Sequence, residues 1–252
     1  MSVYYRDGSV TLHHGRCEDI LPTLGVCADI AVTDPPYGET SLAWDRWPKG
    51  WPTLVAAALP PATSLWCFGS MRMFLEQRDE FAAWKFAQDV IWEKPNGSMF
   101  AADRFKRVHE VAAHWYRGPW ASGHRVVPRE DYHGPSKSVP QRKEGKQRHT
   151  GAIGDSVYTD DGTRMARSIL RVRNMHHRSV HPTEKPTGIL DPLIAYSCPP
   201  DAIVLDPFAG SGSTLDAARC SGRKAIGIEA SETFCEVIAT RLAQGSLFGG
   251  AA

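Results

Sequence analysis

The chain has 252 residues, a formal net charge of +1, 42% hydrophobic residues and 23% charged residues. This length accommodates one sizeable α/β domain with an insertion, and the composition is that of an ordinary globular protein. The near-neutral charge excludes a uniformly basic nucleic-acid-binding protein. No apolar run reaches the ~18 residues that a membrane-spanning helix needs, so we expect no membrane association.

The N-terminal segment has neither the basic nor the apolar region of a secretion signal. The six cysteines are scattered, without a Cys-x-x-Cys pair or Cys/His spacing typical of zinc sites. We therefore expect a cytoplasmic protein, of bacterial or phage origin, with reduced and mostly buried thiols. We expect no metal site.

Apolar runs and their interruptions predict alternating strands and helices in the first part of the chain. A strand at 29–33 is expected to be buried, and two prolines end it. The other elements predicted there are a β-like segment at 9–13, an amphipathic stretch at 17–24, a helix at 51–59, a strand at 63–68, a helical segment at 71–84, and strands at 86–92 and 109–116.

The last part of the chain continues the alternation. Its predicted elements are a helix to Tyr196, a strand at 202–205, a helix at 214–220, a strand at 224–229, and a final helix, capped by Ser231, to about 244. Strands that alternate with helices predict a doubly wound, mostly parallel sheet.

The middle of the chain has a different composition. Residues 117–178 are rich in Gly, Pro, Ser, Lys and Arg and show little periodicity, while acidic residues lie more in the two ends. A basic insertion on a neutral scaffold favours a polyanionic partner. The composition by itself is equally typical of a solvated, mobile loop.

A glycine-rich turn follows the strand at 202–205. Gly210 and Gly212 allow a tight turn and close backbone approach to a ligand. Glu229 ends the next strand, about 20 residues later, where an acid accepts hydrogen bonds from ribose hydroxyls. A plain tight turn explains the glycines alone, but together with Glu229 they predict a cofactor that contains a nucleoside.

The chemistry of the turn narrows the choice of cofactor. The turn lacks the third glycine of nicotinamide-binding sites and the lysine of phosphate-binding loops. Asp206, just before the turn, would repel a pyrophosphate but attract an ammonium group. This charge pattern favours S-adenosylmethionine, because its methionine end is zwitterionic and its sulfonium is positive.

The Asp-Pro-Pro-Tyr segment at 34–37 predicts methyl transfer to an exocyclic amine. Such an amine is a poor nucleophile until acceptors on its N–H groups localise its lone pair, and Asp34 and the Pro35 carbonyl offer two acceptors. Tyr37 offers a ring on which an extruded base stacks. The segment alone is more typical of a turn. Its place after a buried strand, in one chain with the glycine-rich turn and Glu229, favours catalysis.

In this order the motifs resemble the β-type amino-methyltransferases of DNA. There an Asp-Pro-Pro-Tyr loop comes first, a target-recognition region follows, and a Phe-x-Gly-x-Gly turn comes last. The Trp-x-Lys-x-Asn and His-Glu segments between 92 and 110 and the His-Pro-Thr-Glu-Lys-Pro segment at 181–186 also look like this family's. The resemblance covers nearly all of the chain except about 120–169.

The resemblance implies a Rossmann-like fold of the class I S-adenosylmethionine-dependent methyltransferases. It implies a catalytic half at 1–118, a target-recognition insertion at 119–178 and a cofactor-binding half at 179–252. The implied catalytic loop comprises Asp34, Pro35, Pro36 and Tyr37. The implied cofactor site comprises Cys17, Thr183, Lys185, Asp206, Phe208, Ala209, Gly210, Ser211, Gly212 and Glu229.

Two parts of the implied cofactor site have alternative explanations. Thr183 and Lys185 are placed to meet the methionine carboxylate, although a capped helix entry also explains them. Members of the family commonly have Gly-Asp shortly before the catalytic strand, and that Asp helps to bind the adenine. Here Arg16 stands in its place. Two alternatives follow. Either main-chain groups of Cys17, or the nearby Glu18 or Asp19, bind the adenine instead, or the affinity for the cofactor is altered.

The resemblance also implies the substrate. Asp at the first catalytic position favours the N6 amino group of adenine, because family members that act on cytosine N4 more often have Ser there. Cytosine N4, another nucleic acid and a catalytically silent DNA-binding module remain the alternatives. The expected partner is double-stranded DNA, with phosphate contacts from Arg104, Lys106 and Arg107.

Further partners are less defined by the sequence. The basic and aromatic residues of 119–178 are expected to recognise the target, and a homodimer would extend this short region, as in relatives. Neither the recognition sequence nor a restriction endonuclease partner follows from the sequence.

Overall fold

The computed structural model describes residues 2–98, 102–131, 161–172 and 185–248. It divides into two compact units, one formed by Met1–Val126 with Ser168–Ala252 and the other by Val127–Arg167. None of the helices within the described ranges has the length and apolarity that a bilayer crossing requires.

The first unit alternates strands and helices as expected. Its elements before the second unit are β1 (Ser2–Arg6), β2 (Val10–His14), α1 (Cys17–Leu24), β3 (Ile30–Thr33), α2 (Trp51–Ala58), β4 (Ser64–Gly69), α3 (Met71–Glu76), β5 (Lys85–Ser98) and β6 (Arg107–Tyr116). The second unit contains β7 (Arg129–Asp131) and β8 (Thr163–Met165). The first unit then resumes with β9 (Ile169–Arg171), α4 (Thr187–Ser197), β10 (Ile203–Asp206), α5 (Ser213–Cys220), β11 (Lys224–Glu229) and α6 (Glu232–Phe248).

Nine strands of the first unit form one sheet in the order β1-β2-β11-β10-β3-β4-β6-β5-β9. The five strands from β2 to β4 in that order are parallel to one another. The strands β1 and β6 pair antiparallel with their neighbours, and β9 pairs parallel with β5. The prediction of a doubly wound, mostly parallel sheet is therefore confirmed.

The core lies on both faces of this sheet, because successive side chains of a strand point to opposite faces. In β3, Ile30 and Val32 pack into the cluster that contains α4, α5 and α6, and Ala31 packs into the cluster that contains α1, α2 and α3. Both clusters continue onto the other central strands, so those strands are covered on both faces. Such burial explains why β3 is a continuous apolar run.

Some predicted elements differ from the observed ones. The helix expected at 71–84 ends at Glu76 and is followed by a 3-10 turn, because the Trp84 indole turns inward to donate to the Pro52 carbonyl at 3.0 Å. The unpredicted strand β1 pairs with β2 across a turn in which Asp7 accepts two backbone N–H groups, at 2.7 Å each.

The second unit lies inside the predicted insertion at 119–178. In the described part of this unit, β7 and β8 form an antiparallel pair, and Arg129 forms an ion pair with Asp161 at 2.9 Å. The flanks of the predicted insertion belong to the first unit, since Val126 donates to the Tyr196 carbonyl at 2.8 Å and β9 extends the main sheet. A role of 119–178 in target recognition stays a prediction.

Candidate active site

A cleft of about 960 Å³ opens at the carboxyl ends of the parallel strands. Open α/β sheets bind their ligands at this edge. The predicted site residues that line the cleft are Cys17, Asp34, Pro35, Pro36, Tyr37, Lys185, Asp206, Phe208, Ala209, Gly210, Ser211 and Glu229. Gly212 lies behind the cleft wall, and Thr183 lies outside the described residues.

The glycine-rich turn needs its two glycines for different reasons. Gly210 has φ +53°, a left-handed backbone that favours glycine, and it lines the cleft. Gly212 has φ +79°, and a Cβ there would lie 3.0 Å from Cγ2 of Ile238. Gly210 therefore shapes the cleft, while Gly212 allows α6 to pack against the turn.

The Glu229 carboxylate connects two loops at the edge of the cleft. Its Oε2 accepts a hydrogen bond from the Gly210 N–H at 2.8 Å, and its Oε1 accepts one from the Ser231 N–H at 2.8 Å. Burial raises the pKa of this carboxyl. Each carboxylate oxygen has two lone pairs, so Glu229 can accept two further hydrogen bonds from a ligand.

Asp206 is the most deeply buried acid of the cleft, with 2% of its surface exposed. Its Oδ1 accepts hydrogen bonds from the Thr33 hydroxyl at 2.7 Å and from the Phe208 N–H at 3.1 Å. Burial raises its pKa to about 6. A buried carboxylate at the cleft wall is suited to a cationic group of a ligand, which would stabilise its ionised form.

The segment at 34–37 forms another wall of the cleft. Asp34 follows β3 directly, and its Oδ1 accepts a hydrogen bond from the Tyr37 hydroxyl at 2.6 Å. Its Oδ2 accepts a charge-assisted hydrogen bond from the Lys185 ammonium. Burial and the nearby carboxylate of Asp34 raise the pKa of Tyr37 well above its usual value, which keeps the phenol protonated as a donor.

Two charged residues of this wall were not assigned a role from the sequence. Glu110 on β6 forms an ion pair with Lys185 at 3.3 Å and a second one with Lys94 on β5. Both Lys94 and Glu110 line the cleft. They lie within the segments that resemble the family's middle motifs. Their place in these two segments was the available signal.

The loop after Tyr37 forms the rim of the cleft. The buried Asp45 carboxylate accepts backbone N–H groups from Gly38 at 2.8 Å, Glu39 at 3.0 Å and Thr40 at 2.7 Å. These hydrogen bonds lower the pKa of Asp45, although burial opposes them. Trp44 lines the cleft and is half exposed, so this loop brings an aromatic surface to the opening.

The segment around Arg16 also lines the cleft. The Arg16 guanidinium pairs with Glu18 at 2.8 Å, and the buried Cys17 thiol donates to the other oxygen of Glu18 at 3.3 Å. Burial raises the pKa of Cys17, which keeps it a thiol. Of the two acids expected to serve as substitutes, Glu18 lines the cleft and Asp19 does not.

The surface residues expected to contact DNA lie in different surroundings. Trp115, an aromatic residue just before the predicted insertion, faces the core, where it stacks on Phe81 with ring centroids 4.6 Å apart. Arg104 pairs with Asp103 at 2.8 Å, and Arg107 lies 3.9 Å from Glu39 in the rim loop.

In sequence, this chain is similar to known DNA methyltransferases. A family model described as DNA methylase, for N6 and N4 methyltransferases, matches residues 28–241. The type II methyltransferase M.ScaI from Streptomyces caespitosus is 24% identical over 257 aligned positions, which cover 95% of this chain and 83% of that protein.

Two solved structures are similar in fold. The M1.HpyAVI–SAM complex superimposes with a TM-score of 0.64 and 20% identity, over 92% of this chain and 99% of that one. The cytosine-N4-specific PvuII DNA methyltransferase superimposes with a TM-score of 0.64 and 16% identity, over 95% of this chain and 88% of that one.

Proposed function

Because the chain belongs to the N6/N4 DNA methylase family, we propose that it transfers a methyl group from S-adenosylmethionine to the N6 amino group of adenine in duplex DNA. One observation carries this proposal. The Asp34 carboxylate opens into the same cleft as the glycine-rich turn, Asp206 and Glu229. The groups expected to hold the amine and the groups expected to hold the cofactor thus share one space.

The polar groups of the cleft fit S-adenosylmethionine. Asp206 offers a buried negative charge for the methionine ammonium, and Glu229 offers acceptor positions for the ribose hydroxyls. The M1.HpyAVI structure is described as a complex with this cofactor. When bound, the cofactor supplies a methyl carbon on a positively charged sulfur, which keeps the bonding electrons once the carbon is transferred.

The residues of the catalytic loop act on the target base. Asp34 and the Pro35 carbonyl accept hydrogen bonds from the two N–H bonds of the amino group, which localises the nitrogen lone pair. The two acceptors also stabilise the positive charge that develops on nitrogen as it is methylated. Tyr37, whose hydroxyl is held by Asp34, offers its ring to the extruded base. The Lys and Arg residues of the surface hold the DNA backbone.

Methylation of cytosine N4 is the second candidate. It has support in the similarity of fold to the cytosine-N4-specific PvuII enzyme. The same two acceptors would serve a cytosine amine, because both amines are conjugated with a ring. Asp at position 34 favours adenine, since Ser is more common there in the N4 enzymes.

A single labelling experiment tests both candidates. The protein is incubated with radiolabelled S-adenosylmethionine and genomic duplex DNA, and the product is digested to nucleosides. Label in N6-methyladenine is the expected result. Label in N4-methylcytosine would overturn the assigned base. A protein that binds both ligands but transfers no label would be a DNA-binding module without catalytic activity.

A further inference from the structure

A chain of four alternating charges forms one wall of the cleft. Lys94 pairs with Glu110, Glu110 pairs with Lys185 at 3.3 Å, and Lys185 pairs with Asp34. The Tyr37 hydroxyl completes the chain by donating to the other oxygen of Asp34. These side chains come from β5, β6, the segment before α4 and the loop after β3. The chain of charges therefore links four separate parts of the fold, and it ends at the Asp34 carboxylate.

The chain becomes more buried toward its centre. The side chain of Lys185 is 8% exposed, that of Glu110 18%, that of Lys94 21% and that of Asp34 24%. Charges removed from water are tolerated only when they are paired, and the two cations and two anions here balance. Although burial opposes it, Asp34 and Glu110 raise the pKa of Lys185. Burial by itself would raise the pKa of Glu110, but the nearby ammonium groups of Lys185 and Lys94 lower it.

The position of Lys185 matters for the chemistry of Asp34. The ammonium donates a hydrogen bond to Asp34, and the Glu110 carboxylate attracts it from 3.3 Å without accepting a hydrogen bond from it. If Glu110 carried no charge, Lys185 would be drawn fully onto Asp34. It would then compete with the amino group of a target base for the same acceptor. The Glu110 charge therefore limits the hold of Lys185 on Asp34.

We propose that Glu110 and Lys185 are positioning residues for the Asp34 carboxylate, and that Lys94 balances the charge of Glu110. Lys185 and Tyr37 fix the plane of the carboxylate, and Glu110 holds Lys185 back so that Asp34 keeps an acceptor position open. This inference rests on the proposed role of Asp34 as the acceptor for the target amino group. It does not depend on whether that group belongs to adenine or cytosine.

The balance of charge around Lys185 involves several elements. The titratable groups that face it or its carboxylate partners in the described part of the chain are Asp34, Tyr37, Cys67, Lys94, Glu110 and Asp206. Tyr37 and Cys67 have raised pKa values and remain neutral. The charge that a neutral substitution at position 110 removes is therefore not replaced by either of them.

The test begins with Glu110→Gln, which keeps the size of the side chain and removes its charge. We expect kcat to fall about 10- to 100-fold, the scale of a misplaced reacting group, with KM for cofactor and DNA within about twofold. The loss of activity at alkaline pH should also begin at a lower pH, because Lys185 loses an anionic partner. If Glu110 had only a structural role, its substitution would not shift the pH at which activity is lost on the alkaline side.

Glu93→Gln is the matched control. Glu93 lies on the same hairpin, next to Lys94, but pairs with the exposed Arg171 at 2.7 Å and does not line the cleft. Its kcat and pH profile should match the wild type. A Lys94→Gln/Glu110→Gln double variant restores the charge balance, so its kcat should exceed that of Glu110→Gln alone. If the kcat losses of the two single variants simply multiply in the double variant, the proposal is overturned.

Wild-type kcat and an unshifted pH profile in Glu110→Gln would also overturn it. Circular dichroism checks that each variant is folded. Should Glu110→Gln not fold, Lys94→Gln alone provides the test, because Glu110 would then draw Lys185 away from Asp34. Its kcat should fall with KM unchanged, and a wild-type kcat would contradict the proposal. A wild-type protein without methyl transfer would sink the proposed function and this inference together, whereas an active wild type with unaffected variants would sink only the positioning role.

Discussion

The pH dependence of cofactor binding tests the role proposed for Asp206. Its pKa of about 6, raised by burial, means that its carboxylate is largely ionised at pH 7.5 and largely protonated at pH 5. An ammonium group binds the ionised form better. The dissociation constant for S-adenosylmethionine should therefore rise as the pH falls below 6. We expect this dissociation constant to rise about tenfold between pH 7.5 and pH 5. The rise corresponds to about 1.4 kcal/mol for one pH unit below the pKa of Asp206.

Isothermal titration calorimetry measures this dependence directly. In Asp206→Asn the amide oxygen can still accept from Thr33 and Phe208, but the negative charge is lost. We expect binding at pH 7.5 to weaken by about 1.5–3 kcal/mol, the size of a hydrogen bond to a charged group, and its dependence on pH to become shallower. The residual slope would come from Glu229, whose pKa burial also raises.

Asp191→Asn provides the control for this experiment. Burial raises the pKa of Asp191 as well, but it lies on α4 and does not line the cleft. That variant should bind the cofactor like the wild type at each pH. A wild-type dissociation constant that stays level between pH 7.5 and pH 5 would refute the assignment of Asp206. An equal slope in Asp206→Asn would refute it too.

Three further predictions follow from the same cleft and core. Asp34→Ala should abolish methyl transfer in the labelling assay while calorimetry shows cofactor affinity within about twofold of wild type, and wild-type turnover would contradict its role. Glu229→Ala should weaken cofactor binding first, by roughly 1–3 kcal/mol in calorimetry, because it also leaves the Gly210 N–H without its acceptor. His114 is buried and neutral, with its pKa lowered to about 3 by burial and by Arg125. Between about pH 6.5 and 3 the unfolded state binds the extra proton, so stability falls as the pH falls, by about 1.4 kcal/mol per unit. In urea unfolding at pH 7 and 5, His114→Gln should show a smaller difference in stability than wild type by about 2 kcal/mol.

The elements nearest the cleft are those that local sequence patterns determine. The strand β3, the glycine-rich turn and β11 combine a short apolar run with a residue type that ends it, and each forms close to its predicted place. Helix α3 was predicted too long, because the inward turn of Trp84 depends on a carbonyl of α2 that no local pattern reveals. The strand β1 was missed because its pairing depends on the Asp7 turn.

Contacts between residues that are distant in sequence account for the features of the site that local sequence patterns did not predict. Lys185 was expected at the methionine carboxylate because its motif resembles a cofactor motif, and the fold brings its ammonium to Asp34 and Glu110. Those contacts require β3, β6 and the start of α4 to be in place. The sequence around a single residue does not show which distant residues the fold brings into contact with it. Glu110 was visible in the sequence as part of a family-like His-Glu segment, but nothing there indicated that it pairs with Lys185.

The order of the strands explains how the two motifs meet despite their separation in the chain. The strand β3 lies directly beside β10, so Thr33 at the end of one donates to Asp206 at the end of the other, across 173 positions of sequence. Asp34 comes one residue after Thr33, and the glycine-rich turn begins just after Asp206. Because this contact joins two neighbouring strands at their carboxyl ends, it does not depend on the length of sequence between them. The proposed catalytic loop at 34–37 is thus positioned by its neighbour strand, and a change at Thr33 that breaks the hydrogen bond should alter both cofactor binding and turnover.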